Sequence, residues 1–147
     1  MVTSEDVTTY LLNIGVSTGG LGFEYLRDAI MIALEEDTAI REITGYLYPA
    51  VGHRHGTTGS RAERVIRYAI ETAWTFGNID YQQRVFGYSI SPEKGKPTNR
   101  QFVQRSVDHL KQQANAADSF DAAPDELKAE FLSFWRVFRE WREGVRV

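Results

Sequence analysis

The chain has 147 residues, 42% hydrophobic and 12% aromatic, which suffices for one compact domain with a core and is too short to expect two. It contains no cysteine, which excludes a disulfide scaffold and a thiolate zinc site. The net charge of −3 argues against a nucleic-acid partner until it is divided along the chain: residues 41–105 carry ten Lys/Arg against five Asp/Glu, and the remainder seven against fifteen. A basic middle between acidic flanks is a local electrostatic footprint, and a footprint matters more than a total.

The first residues, MVTSEDVTTYLLNIG, have no basic start and no long apolar run, so they do not read as a secretion signal. No stretch is long enough to span a bilayer. The expectation is a soluble cytoplasmic protein without a membrane partner.

The periodicity is helical throughout, without the alternation a sheet requires, so the expected fold class is all-α. Ser4 caps a first helix to Asn13, with Glu5 and Asp6 at its positive end and Gly15 stopping it. Gly19, Gly20 and Gly22 mark a loop; without a following lysine or a preceding strand they are turn residues, not a phosphate cradle. A second helix is predicted over residues 23–37, with Tyr25, Leu26, Ala29, Ile30, Ala33 and Leu34 on its apolar side, and a third over 38–47. Pro49 then opens a short helix and disfavours helix at Tyr48, and Gly56 ends it.

The segment TTGSRAERVIRYAIETAW, residues 57–74, is the most informative part of the chain. Thr57 and Thr58 form a turn, and a long helix over about residues 59–76 follows. Ala62, Val65, Ile66, Ala69, Ile70, Ala73 and Trp74 make an apolar stripe that must face a core. Ser60, Glu63, Arg64, Arg67, Tyr68 and Glu71 fall on the other side, where Arg61, Arg64 and Arg67 crowd the first two turns. Short helix, turn and long helix are helix-turn-helix geometry, and arginine with glutamate near the start of the second helix is what reading DNA requires.

Gly77 ends the long helix, residues 78–86 form another, and the loop 87–97 carries Lys94 and Lys96. Thr98 caps a helix to about Gln113, with Phe102, Val103, Val107 and Leu110 inward. The Ala/Asp-rich stretch 114–123 reads as a linker between an effector domain, residues 1–113, and an aromatic amphipathic helix, residues 124–147. Along that last helix Leu127, Phe131, Phe134, Phe138, Trp141 and Val145 recur in steps of four and three, with Leu132 and Trp135 widening the face. So much aromatic surface is expected to dock on its own domain or to serve association through Phe131, Phe134, Trp135, Phe138 and Trp141.

The blocks GFEYLRDAIMIAL, ITGYLYPAV, TTGSRAERVIRYAIETAW, GN, FGYSIS and KGKPTN, in this order, resemble the C-terminal effector domain of the stage-zero sporulation master response regulator of spore-forming bacteria. The resemblance covers roughly residues 11–110. It implies a compact all-helical domain that binds a short promoter box in double-stranded DNA as a transcriptional regulator, with domains pairing as a homodimer on tandem boxes and RNA polymerase as a further candidate partner. By motif position, Glu63, Arg64 and Arg67 would read bases; Thr57, Thr58, Ser60, Arg61 and Arg54 would hold phosphates; Lys94 and Lys96 would contact the backbone from the later loop. Arginine can pair bidentately with guanine, glutamate can accept from cytosine, and hydroxyls and helix-start amides suit phosphate oxygens.

This chain departs from the family's pattern at His53 and Arg54, where two lysines are usual, at Tyr68, often a histidine, and at Phe76, where a basic residue is usual. The receiver domain is absent from these residues, and the last helix is foreign to the pattern, so the reading is of a fragment or of a stand-alone protein. No cofactor and no metal are expected: His53 and His55 lack a third ligand by spacing, and no nucleophile-base arrangement emerges, so the chain does not read as an enzyme. The competing reading is a protein-interaction module of the same fold that has lost DNA binding and acts through its last helix.

Overall fold

A computed structural model describes residues 1–90, 93 and 95–144, with Tyr88 described in backbone only. The chain divides into two compact units, residues 1–112 and residues from 113 onward.

The first unit is all helix among its described regular elements, as the periodicity predicts. Helix α1, Ser4–Ile14, buries Val7, Tyr10, Leu11 and Ile14, one stripe at helical spacing. Its cap is Thr3 rather than Ser4. The Thr3 hydroxyl accepts the Asp6 N–H at 3.2 Å while the Asp6 carboxylate accepts the Thr3 N–H at 2.8 Å. This reciprocal pairing satisfies two otherwise open donors, and the bonds from Thr3 hold the Asp6 carboxyl below its usual range. Helix α2, Gly22–Glu35, presents a broad apolar side from Phe23 to Ala33.

The third predicted helix divides. Helix α3, Thr38–Arg41, is short, a wider π-helical turn covers Ile43–Leu47, and α4, Tyr48–Arg54, follows directly. Tyr48 is itself helical, at φ −62° and ψ −45°, against the expectation that Pro49 would exclude it. Pro49 stands in the first turn of α4, where its missing N–H leaves no helical bond unmade, and the buried Tyr48 holds helical geometry against the bias before proline.

Helix α5, Gly59–Phe76, packs its buried Ala62, Ile66, Ile70 and Ala73 on α2 and α4. Helix α6, Ile79–Phe86, is capped by Asn78, and its buried Gln82 was not foreseen. Gln82 donates to the Ile14 carbonyl at 2.9 Å and to the Ala73 carbonyl at 2.8 Å. It thereby adds a second donor to carbonyls at the C-terminal ends of α1 and α5, which also accept the Asn78 N–H at 3.2 Å and the Gly77 N–H at 2.7 Å, and so ties the two ends together.

Helix α7, Asn99–Asp121, starts from a capping pair between Thr98 and Gln101 and buries Phe102, Val103, Ser106, Val107 and Leu110. Ser106 is the polar member of that stripe; its hydroxyl meets the Tyr10 hydroxyl at 2.7 Å, and burial pushes the Tyr10 phenol well up. Residues 114–121, expected as a linker, continue α7. Alanine is the best helix former, and the stretch contains neither glycine nor proline before Pro124.

His109 sits against Tyr10 and Tyr81, with ring centroids at 5.6 and 6.3 Å, and its Nε2 is buried without a hydrogen-bond partner. Burial, aided by the Arg105 charge, holds its pKa below the ordinary imidazole value. The unfolded chain therefore takes up a proton before the folded one does as pH falls. The expected result is that His109 contributes a loss of stability from about pH 6.5 downward, ending once the depressed folded value is passed. Denaturant melts across that range, on the parent and on His109→Phe, check this: the variant should show a shallower acid decline.

The second unit pairs the end of α7 with α8, Asp125–Gly144. Phe120 meets Phe131 edge-on at 5.4 Å, and the Lys128 ammonium donates to the Asp121 carbonyl at 2.6 Å across the turn. No described residue of α8 is buried.

Candidate nucleic-acid interface

Helices α4 and α5 and the turn between them, residues 55–58, form the helix-turn-helix. Two glycines make the turn possible. A Cβ on Gly52 would lie 2.8 Å from the Thr57 and Thr58 backbone, and that closeness lets the Thr57 N–H reach the Gly52 carbonyl at 2.8 Å. Gly56 reverses the chain at φ +66°, a left-handed conformation that side chains disfavour. Thr58, in extended backbone, then caps α5, its hydroxyl accepting the Arg61 N–H at 3.2 Å.

The buried stripe of α5 fixes which face points outward. Arg61, Arg64, Arg67 and Tyr68 are all exposed there, and Ser60 lies with them at the helix start. Glu63 is partly buried and pairs with Arg67 one turn on, Oε1 to Nη1 at 2.7 Å. This pair is the i,i+4 salt bridge that the spacing allows. It engages one of five guanidinium donors, and at such exposure contributes under about 1 kcal/mol.

Two flanks frame this face. On one side the glycine-containing loop, from Ser17 to Leu21, and α5 enclose an open groove of about 910 Å³, lined by Leu21, Arg61, Arg64, Val65 and Tyr68 among others. The groove exists because Gly22 lets α2 approach Ala69. On the other side the Lys96 ammonium meets the Glu71 carboxylate at 2.8 Å, and that bond keeps the Glu71 carboxyl below its usual range. Lys94 lies outside the described residues. Asn99 donates to the Tyr48 hydroxyl at 3.0 Å and to the Glu63 carbonyl at 3.3 Å, fastening the start of α7 to the middle of the site.

At the turn, Arg54 is half exposed, 3.6 Å from Asp28 on α2. The same carboxylate holds His55 Nε2 at 2.6 Å, and the His55 ring stacks on Tyr25 at 4.3 Å. His55 thus braces the turn against α2, while His53 is exposed. Asp28 and Asn99 were missed from the sequence because nothing in their local pattern marks a residue that acts across 27 or 36 positions. Among the described residues there is no cluster of His, Cys, Asp or Glu that could hold a metal ion, and no helix long and apolar enough to cross a membrane.

Residues 7–110 match the family described as the sporulation initiation factor Spo0A C terminal. The chain belongs to that family. A Spo0A C-terminal domain is a DNA-binding effector domain of transcription regulation in sporulation, and the matched span holds the complete helix-turn-helix with both flanks. The match ends at Leu110, within the first unit, so the end of α7 and all of α8 lie beyond it.

Proposed function

We propose that the chain is a sequence-specific transcriptional regulator that lays the first two turns of α5 in the major groove of double-stranded DNA. The observation that carries the reading is the outward face of α5. It places exposed Arg61, Arg64 and Arg67 on a helix backed by a buried stripe and set by a glycine-dependent turn, in a Spo0A-type domain.

Arg64 and Arg67 read base edges, with guanine O6 and N7 as the natural bidentate acceptors. Glu63 either accepts from a cytosine amine or orients Arg67 through the bond it makes in the free protein. Ser60, Arg61 and Thr57 hold phosphate at the helix start, where backbone N–H groups add their own attraction. The Thr58 hydroxyl oxygen caps the helix and its proton remains to be donated. Arg54 and Lys96 reach phosphate from the two flanks, each exchanging a surface carboxylate for the DNA backbone, and Lys94 joins them by its place in the motif. Pairing of two domains on tandem boxes, contact with RNA polymerase and action in the cytoplasm belong to the same reading.

Titration of a probe carrying the family's box against a scrambled probe, over a salt series, tests it. The box is expected to bind more tightly, with affinity falling as salt rises; Arg61→Ala should lower the slope of log K against log salt by about one. Equal affinity for both probes would reduce the domain to a non-specific binder. Absence of binding to either, by a folded protein, would leave the interaction-module reading, favoured by the exposed aromatic side chains of α8.

A further inference from the structure

Helix α8 lies beyond the matched span, and the DNA reading leaves it without a task. Within its unit only the end of α7 accompanies it, meeting it through Phe120 and Phe131 near the turn. The rings further along, Phe134, Trp135, Phe138 and Trp141, stack chiefly on one another, with centroids 5.7 to 6.3 Å apart. They remain exposed, Phe134 at 66% and Trp141 at 63%. With about half of a ~200 Å² side chain uncovered on each, the five rings alone offer on the order of 500 Å². A stable pair needs about 800 Å² per partner, and exposed Leu127, Leu132 and Val137 extend the surface toward that size.

Both the spacing of the rings and the distribution of charge name the occupant. The aromatic positions are symmetric about Arg136: Phe131 and Trp141 lie five residues either side, and Phe134 and Phe138 two. A second α8 laid antiparallel, Arg136 level with its counterpart, sets Phe131 level with the partner's Trp141 and Phe134 level with the partner's Phe138. The charges are polarised along the same axis. Asp121, Asp125, Glu126 and Glu130 gather at the turn end with Lys128 as the one cation, a net −3, while in the other half Arg136, Arg139 and Arg142 outnumber Glu140 and Glu143, a net +1. Lys128, a cation at the acidic end, is committed to the Asp121 carbonyl. Antiparallel pairing brings each acidic end to the partner's half with the small excess of arginine; parallel pairing would bring the two acidic ends together.

We propose that α8 is a self-association surface through which two copies of this chain pair antiparallel, burying Phe131, Phe134, Trp135, Phe138 and Trp141. The pairing does not depend on DNA, so it stands or falls separately from the reading of α5.

Sedimentation equilibrium of the full chain, from about 1 to about 100 µM, brackets a micromolar Kd and is expected to show the dimer. Phe134→Glu with Phe138→Glu, both at exposed positions, should weaken dimerisation tenfold or more, on the order of a central hot spot, with helix content by circular dichroism unchanged. A second measurement does not depend on how that variant folds. The chain has no cysteine, so single cysteines report proximity: Val137→Cys, beside the symmetry point, should oxidise readily to a covalent dimer, and Leu127→Cys should not. A parent that stays monomeric throughout overturns the proposal and leaves the aromatic face to a different protein. A dimer that survives the paired glutamates with helix intact, or that cross-links through Leu127→Cys in preference, overturns it equally.

Discussion

Phe102→Ala is expected to lower the folding stability of the first unit by about 3–5 kcal/mol, the usual cost of removing a fully buried aromatic ring. Phe102 is completely buried, stacks on Phe86 at 5.6 Å and meets Trp74 edge-on at 5.9 Å. Trp74 belongs to α5, and Phe86 also contacts it at 5.0 Å, so the three rings form one cluster that holds the second half of α5 in place. The cavity cannot close cheaply, because Phe102 sits on a helix whose Val103 and Val107 are themselves buried and whose start is fastened through Asn99. Urea unfolding monitored by circular dichroism measures the loss. A change below about 1 kcal/mol would mean that α7 slides to fill the space, and that the cluster does not brace α5.

The second large effect concerns DNA. Arg67→Ala is expected to weaken binding to the specific box by about 1–3 kcal/mol and to relax the choice at one base pair. Stability should barely move, since Arg67 is exposed and its bond to Glu63 is of the weak surface class. Competition binding against boxes varied one position at a time separates the outcomes. Loss confined to one position identifies a base contact, whereas equal loss on specific and random DNA would make Arg67 a phosphate contact. Glu63→Gln sharpens the test: if Glu63 acts only by orienting Arg67, the neutral amide should reproduce a smaller loss at the same base pair.

The helical class, the apolar stripe of α5 and the helix-turn-helix were legible because each is encoded by neighbours. An i, i+3, i+4 spacing declares a buried face without knowledge of what lies opposite it. Element ends were less legible. Thr3 took the cap expected of Ser4 because the reciprocal bond needs a carboxylate three residues on, and Asp6 supplies it to Thr3. The helical Tyr48 was not legible because the restriction before proline is a local bias, and packing of the buried Tyr48 ring overrides it. In the 114–121 stretch, polar composition suggested a linker while alanine propensity carried the helix onward.

The sequence by itself determined that this chain is an all-helical Spo0A-type domain presenting arginines at the start of one long helix, since residue type and period along a helix are local quantities. Tertiary structure alone decided what stands behind that face: the Asp28 brace on Arg54 and His55, the Gln82 link between the ends of α1 and α5, the Lys96–Glu71 bond on the flank and the hold of Asn99 on α5. Each of these joins residues distant in the chain, and such pairings follow from how helices pack in three dimensions, which no spacing along a single helix encodes.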